Sequence, residues 1–203
     1  MKNYIITILV AALAILLLNY FLVFQMQVDF TIIFSNLFFA IVICAIIISF
    51  FSIFVRLVPR RWFNYKAWYF KTFKFEAKLY DFLKIKKWKE KIPEMGKTGG
   101  FAKNKVADPK NSEYLQRFLE ENCIAEFIHF ASILCSFLIF ILLHRPYVLS
   151  IGLPVFLLYF YLNFLPLIVQ RYLRPKLIRL YDRSLRQEKI ERAKLEKKEE
   201  VGN

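Results

Sequence analysis

The stretch FTIIFSNLFFAIVICAIIISFFSIFV, Phe30–Val55, runs for 26 residues without a charged side chain. At about 1.5 Å of helical rise per residue it exceeds the roughly 30 Å hydrocarbon core of a bilayer. In lipid each backbone polar group must find its partner within the segment, so an uninterrupted helix is what such a run forms. Three neighbours reach a comparable length: about Tyr4–Phe24, Ile124–Leu143 and Tyr147–Val169. The sequence therefore predicts an all-α, polytopic membrane protein with four transmembrane helices.

The charge pattern orients these spans. The chain is 58% hydrophobic yet carries a formal net charge of +14, as expected when apolar spans alternate with basic segments. Of 30 Lys and Arg, 17 lie in Arg56–Cys123 and 11 in Gln170–Asn203, leaving Lys2 and Arg145. The positive-inside rule then places the N-terminus, the middle segment and the C-terminal tail in the cytoplasm. Four parts follow: two spans in residues 1–55, a basic cytoplasmic or interfacial segment in 56–123, two further spans in 124–169, and a basic tail in 170–203. The first apolar run is too long for a cleaved leader and meets the second span after only Gln25–Asp29, so it is expected to stay attached.

Within the middle segment, Trp62–Lys91 interleaves aromatic residues with nine lysines. Rings at the acyl boundary and lysines among anionic headgroups fit an interfacial segment. A single-stranded nucleic-acid platform has the same composition, but the adjoining spans argue for lipid and against nucleic acid. Pro93–Asn111 reads as a turn-rich loop, and Gly96–Gly100 with Lys97 lacks the Walker pattern. Ser112 reads as the cap of a helix that runs on into the third span. Beyond Leu180 the tail reads as a solvated helix or a disordered end. Cys44, Cys123 and Cys135 have neither disulfide nor metal spacing.

Ionisable groups at the start of a span are costly, and Glu126 and His129 stand there three residues apart, on one helical face. They form the candidate catalytic centre, with a purely structural hydrogen-bonded pair as the alternative. His129 lies five residues inside Ile124, about 7.5 Å at the helical rise, and Asn163 reaches a similar depth on the antiparallel fourth span. Asn163, Gln170 and Arg174 fall within about 20° of one another on an ideal helix, although Pro166 and Pro175 are expected to disturb that registry. Glu-x-x-His with the distant His144 offers too few ligands for a metal, so no metal or other cofactor is expected.

Taken together, Phe73-Lys-Phe-Glu76, Lys87-Trp-Lys-Glu-Lys-Ile-Pro93, Glu121-x4-Glu126-x-x-His129 and Asn163-x-x-Pro-x3-Gln170-Arg-Tyr-x-Arg-Pro175 resemble the glycosyl-4,4'-diaponeurosporenoate acyltransferase family of bacterial membrane proteins, over roughly Tyr69 to Tyr181. Asn122, Ile124 and Phe130 stand where the family pattern has Thr, Arg and Trp. Leu173 replaces an Asn, and Pro166 comes one place late. The resemblance implies transfer of a fatty acyl chain, from a thioester donor such as acyl-CoA, to a sugar hydroxyl of a carotenoid glycoside or related glycolipid at the cytoplasmic face of the cell membrane. His129 would then be the general base and Glu126 would hold its tautomer. Asn163 and Gln170 would face the oxyanion, and Glu121 would position the sugar. Arg171, Arg174 and the Lys87-Trp88-Lys89 cluster would hold donor phosphates. Two other classes remain open: a non-enzymatic membrane interaction or lipid-binding protein, and a small lipid transporter. Self-association is compatible with each.

Overall fold

The computed structural model describes residues 2–26, 29–92 and 106–202, and among these there are helices and turns but no strand. Three helical stretches are long and apolar enough to cross a membrane: Phe30–Leu57, Ser112–Leu142 and Val148–Lys198. Helix α1, Lys2–Met26, carries the shorter apolar stretch Ile5–Phe21. Most of the expected loop Pro93–Asn111, including Gly96–Gly100 and Lys97, lies outside the described residues.

The chain divides into two compact units. The first comprises Met1–Pro59 and Glu126–Ile168, and the second comprises Arg60–Ala125 and Val169–Asn203.

In the first unit, α2 (Phe30–Leu57) begins where the Asp29 carboxylate accepts the Thr31 amide at 2.9 Å. It ends at Val58, in extended geometry, because Pro59 disfavours helix in the residue before it. One face of α2, with Ile33, Leu37, Ala40, Ile43, Cys44 and Ile47, packs into a core with Ile15, Ile139, Leu143, Ile151, Val155 and Tyr159. Its opposite face exposes Phe34, Phe38, Phe50 and Ile53, the apolar exterior that suits a lipid solvent. Buried Asn19 donates both to Ile15 O in its own helix, at 2.8 Å, and to Ser150 O, at 2.9 Å. Ser150 lies in a single π-helical turn, Val148–Gly152. Gly152 sits in a close approach there: a Cβ would lie 3.2 Å from Leu143 Cδ2, which would have to shift slightly.

Helix α5 (Ser112–Cys135) passes through a turn at Ser136 and Phe137 into α6 (Leu138–Leu142). The Ser136 amide is shared between Ser132 O, at 3.0 Å, and Ile133 O, at 3.2 Å. Helix α7 runs for 50 residues, Leu153–Gly202, so Arg174 is helical despite Pro175 and the helix continues through Pro166. Each proline removes one amide from the ladder, and the turns on either side keep theirs. The tail is helical as far as Gly202.

The second unit starts with two 3-10 turns, Arg60–Phe63 and Trp68–Phe70, followed by α3 (Lys74–Phe82). Lys84 adopts left-handed geometry, φ 50°, and turns the chain into α4 (Ile85–Trp88). The Trp88 indole braces this bend by donating to Leu83 O at 2.8 Å. Helix α3 is amphipathic in the reverse of the usual sense: Glu76 and Tyr80 are buried, whereas Phe75, Leu79 and Phe82 are exposed. Phe118 and Leu119 of α5 pack with Leu177 of α7, flanked by Tyr65, Tyr114 and Tyr181. The cap of α5 is Asn111, whose Oδ1 accepts the Tyr114 amide at 2.9 Å, and not Ser112. Ser112 instead gives its amide and hydroxyl to Glu188, at 2.9 and 2.7 Å.

Candidate active site

In the first unit, α5 and α7 bring His129 to Asn163. The imidazole Nδ1 lies 3.0 Å from Asn163 Oδ1, while Asn163 Nδ2 donates to Tyr159 O at 2.9 Å. The backbone carbonyl can only accept, so it fixes which end of the amide faces the ring. Asn163 Oδ1 in turn can only accept, so Nδ1 carries the proton and Nε2 keeps its lone pair. The group expected to set the tautomer was Glu126, three residues away. The partner the structure gives His129 is Asn163, from the other helix. Glu126 is buried, 6% exposed. Gly, Ala or an aliphatic residue at 163 would leave the ring without this acceptor.

The second unit gathers the charged groups. Arg171 forks onto Glu76, with Nε to Oε2 at 3.1 Å and Nη2 to Oε1 at 2.5 Å, and also donates to Lys71 O at 3.0 Å. Glu76 Oε1 accepts the Phe73 amide at 2.9 Å, which caps α3, and the Tyr80 hydroxyl donates to Oε2. Burial alone would raise the Glu76 carboxyl, but the bonds from Arg171, Tyr80 and Phe73 with the guanidinium charge outweigh it and hold the carboxyl below its ordinary range. The same burial, with Glu76 as acceptor, pushes the Tyr80 phenol up, so it remains a donor.

One turn on, Arg174 is 1% exposed. Its Nε donates to Asn122 Oδ1 at 3.0 Å, its Nη1 to Phe70 O at 2.6 Å, and the guanidinium lies over the Phe70 ring, 5.3 Å from the centroid. Asn122 Nδ2 donates to Gln170 Oε1 at 2.6 Å and to Gln170 O at 3.1 Å. Gln170 and Arg174, expected to face an oxyanion and donor phosphates, are thus engaged with Asn122 and the Phe70 turn. Glu121 lies 3.9 Å from Arg60, whose side chain is half exposed. Lys87 is exposed, and Lys89 and Trp88 are half-buried.

Glu76 and Asn122, to which sequence motifs give no role, are central to this network. The signal was present for Glu76, which stands in the quoted Phe73-Lys-Phe-Glu76 motif. Its partner is 95 residues away, beyond the reach of any periodicity argument. Among the described residues no group of three His, Cys, Asp or Glu side chains is arranged to hold a metal.

Residues 59–183 match the family model described as glycosyl-4,4'-diaponeurosporenoate acyltransferase. Comparison with curated proteins and with solved structures gives no match.

Proposed function

Because the chain belongs to the glycosyl-4,4'-diaponeurosporenoate acyltransferase family, we propose that it moves a fatty acyl chain from a thioester donor, acyl-CoA, to a sugar hydroxyl of a carotenoid glycoside or closely related glycolipid. The observation that carries this reading is the His129 and Asn163 contact, since a neutral imidazole with its Nδ1 proton held by an acceptor presents Nε2 as a base. The acceptor hydroxyl gives its proton to Nε2 as its oxygen attacks the thioester carbonyl. The tetrahedral intermediate then collapses with loss of the C–S bond, and the imidazolium returns the proton to the leaving sulfur. The products are the glycolipid ester and a free thiol. Glu126, buried on the same helix three residues before His129, is the group assigned to stabilise the imidazolium as it forms.

In the second unit, Lys87 and Lys89 are the groups we assign to donor phosphates, with Trp88 bracing their turn. Arg171 and Arg174 are positioning residues that fasten the Phe70–Glu76 segment, and Gln170 holds Asn122, which accepts from Arg174. The spans number four on this reading, with α1 included, and the basic segments put both termini and the reaction on the cytoplasmic side of the bacterial cell membrane. The exposed Phe75, Leu79 and Phe82 of α3 rest at the acyl boundary, with the lysines around them at anionic headgroups.

The test is lipid mass spectrometry of the host with the intact gene, with the gene deleted, and with His129→Gln at matched expression. One glycolipid should lose a fatty-acyl mass in both defective strains while its free-hydroxyl precursor accumulates. An unchanged lipid profile despite verified expression would refute the reading.

A further inference from the structure

Polar residues inside the apolar helices of the first unit mostly satisfy themselves within their own helix. Ser52 Oγ donates to Ile48 O at 2.7 Å, Ser136 Oγ to Ile133 O at 2.6 Å, and Asn36 Nδ2 to Ile32 O at 2.8 Å. This is the ordinary fate of a serine or amide in a membrane helix. Ser132 and Tyr159 depart from it. The Ser132 side chain is 0% exposed and Tyr159 is 8% exposed, yet neither hydroxyl has a hydrogen-bond partner. A buried hydroxyl left unpaired costs on the order of 1–3 kcal/mol by protein mutational measures. A serine at 132 could turn to its own helix, as Ser136 does, and a phenylalanine at 159 would fill the same space without the cost.

Their position gives the cost a purpose. Ser132 follows His129 by three residues on α5, and Tyr159 precedes Asn163 by four on α7, with its carbonyl already holding the Asn163 amide. The hydroxyls therefore stand one turn along from the His129 and Asn163 contact on both helices. Asn163 itself has its oxygen at the imidazole and one amide proton on Tyr159 O. The two hydroxyls are donors still without an acceptor.

We infer that the Ser132 and Tyr159 hydroxyls form the binding site for the carbonyl oxygen of the fatty acyl group and donate to it as it becomes an oxyanion. This rests on the acyl-transfer reading above and deepens it, replacing Asn163 and Gln170 as the expected donors. The chemistry is that of two buried donors fixed on facing helices one turn from His129, which stabilise charge as it develops on the carbonyl oxygen. Both are catalytic residues in this account, because both touch the reacting carbonyl.

The experiment uses the full chain in lipid nanodiscs, with acyl-CoA and the acceptor glycolipid identified by the lipid profile. Tyr159→Phe and Ser132→Ala are each expected to lower kcat about 100-fold, with KM for both substrates nearly unchanged. Their melting temperatures should equal or exceed that of the wild type, because the hydroxyls removed hold no bond in the protein. In a second measurement, binding of a ketone analogue of palmitoyl-CoA, with a methylene between sulfur and carbonyl, is compared with S-hexadecyl-CoA, which lacks the carbonyl. The wild type should prefer the ketone about 10-fold, and the double variant should bind both alike. Wild-type turnover in both variants, or lowered melting temperatures with kcat intact, would overturn the inference while leaving acyl transfer standing. A wild type that transfers no acyl chain would defeat the acyl-transfer reading, and equal binding of the two analogues by the wild type would defeat the inference independently of turnover.

Discussion

The two units handle buried polarity in opposite ways. In the second, the groups are charged and their bonds are closed: Glu76 takes Arg171, Tyr80 and the Phe73 amide, and Arg174 takes Asn122 and Phe70 O. In the first, the groups around His129 are mostly neutral, and two hydroxyls stand without partners. A closed network repays its own desolvation and fixes a backbone. An open one costs stability and makes sense where a substrate completes it. On the proposed function, the difference gives scaffold work to the arginines and chemistry to the histidine.

Substitutions can break that comparison. The largest effect expected is on turnover: His129→Gln should lower kcat about 10²- to 10⁴-fold with little change in melting temperature. A matching loss of stability would move His129 into the scaffold class. Arg174→Ala should act the other way, costing about 4 kcal/mol by leaving Asn122 Oδ1 and Phe70 O without their donor in a buried place. Thermal unfolding in detergent reads this directly, and a stable but inactive Arg174→Ala protein would contradict it.

Glu76→Gln should cost about 3 kcal/mol at neutral pH, because the Arg171 guanidinium loses its counter-charge. The sign of the pH dependence follows from the depressed carboxyl. Its contribution is fully present above the unfolded carboxylate value, near 4.3, and is lost as pH falls through the lower folded value. The stability gap between wild type and Glu76→Gln should therefore close only in strong acid, and a gap that closes already near pH 6 would rule out this account. Smaller still is Gly152→Ala, for which the 3.2 Å approach to Leu143 Cδ2 predicts a loss of about 1 kcal/mol. Arg60→Ala should change stability by less than about 0.5 kcal/mol, since its side chain is half exposed and its carboxylate contacts are at 3.8 and 3.9 Å.

What could be read from the sequence was what is written contiguously. The apolar runs announced their helices because 20 or so uncharged residues have few other uses. Local rules went astray where a neighbour was assumed to be the partner. Ser112 was the expected cap, yet Asn111 performs it, since Ser112 is taken by Glu188, 76 residues away. For His129 the sequence offers Glu126, three residues away, and the folded chain adds Asn163, 34 residues away, at its Nδ1. Pro175 is expected to disfavour helix at Arg174, but α7 continues through it, and Arg174 is helical and bonded to Asn122 and Phe70 O. Glu76 and Arg171 show no local periodicity linking them, so their pairing required the folded chain.

The most direct measurement is acyl-transfer turnover of purified protein in lipid nanodiscs, with acyl-CoA and its glycolipid acceptor, taken alongside melting temperature for the wild type, His129→Gln and Arg174→Ala. The account predicts a folded, inactive His129→Gln protein and an Arg174→Ala protein whose activity fails only in step with its unfolding. A His129→Gln protein that melts normally and turns over at the wild-type rate would contradict it.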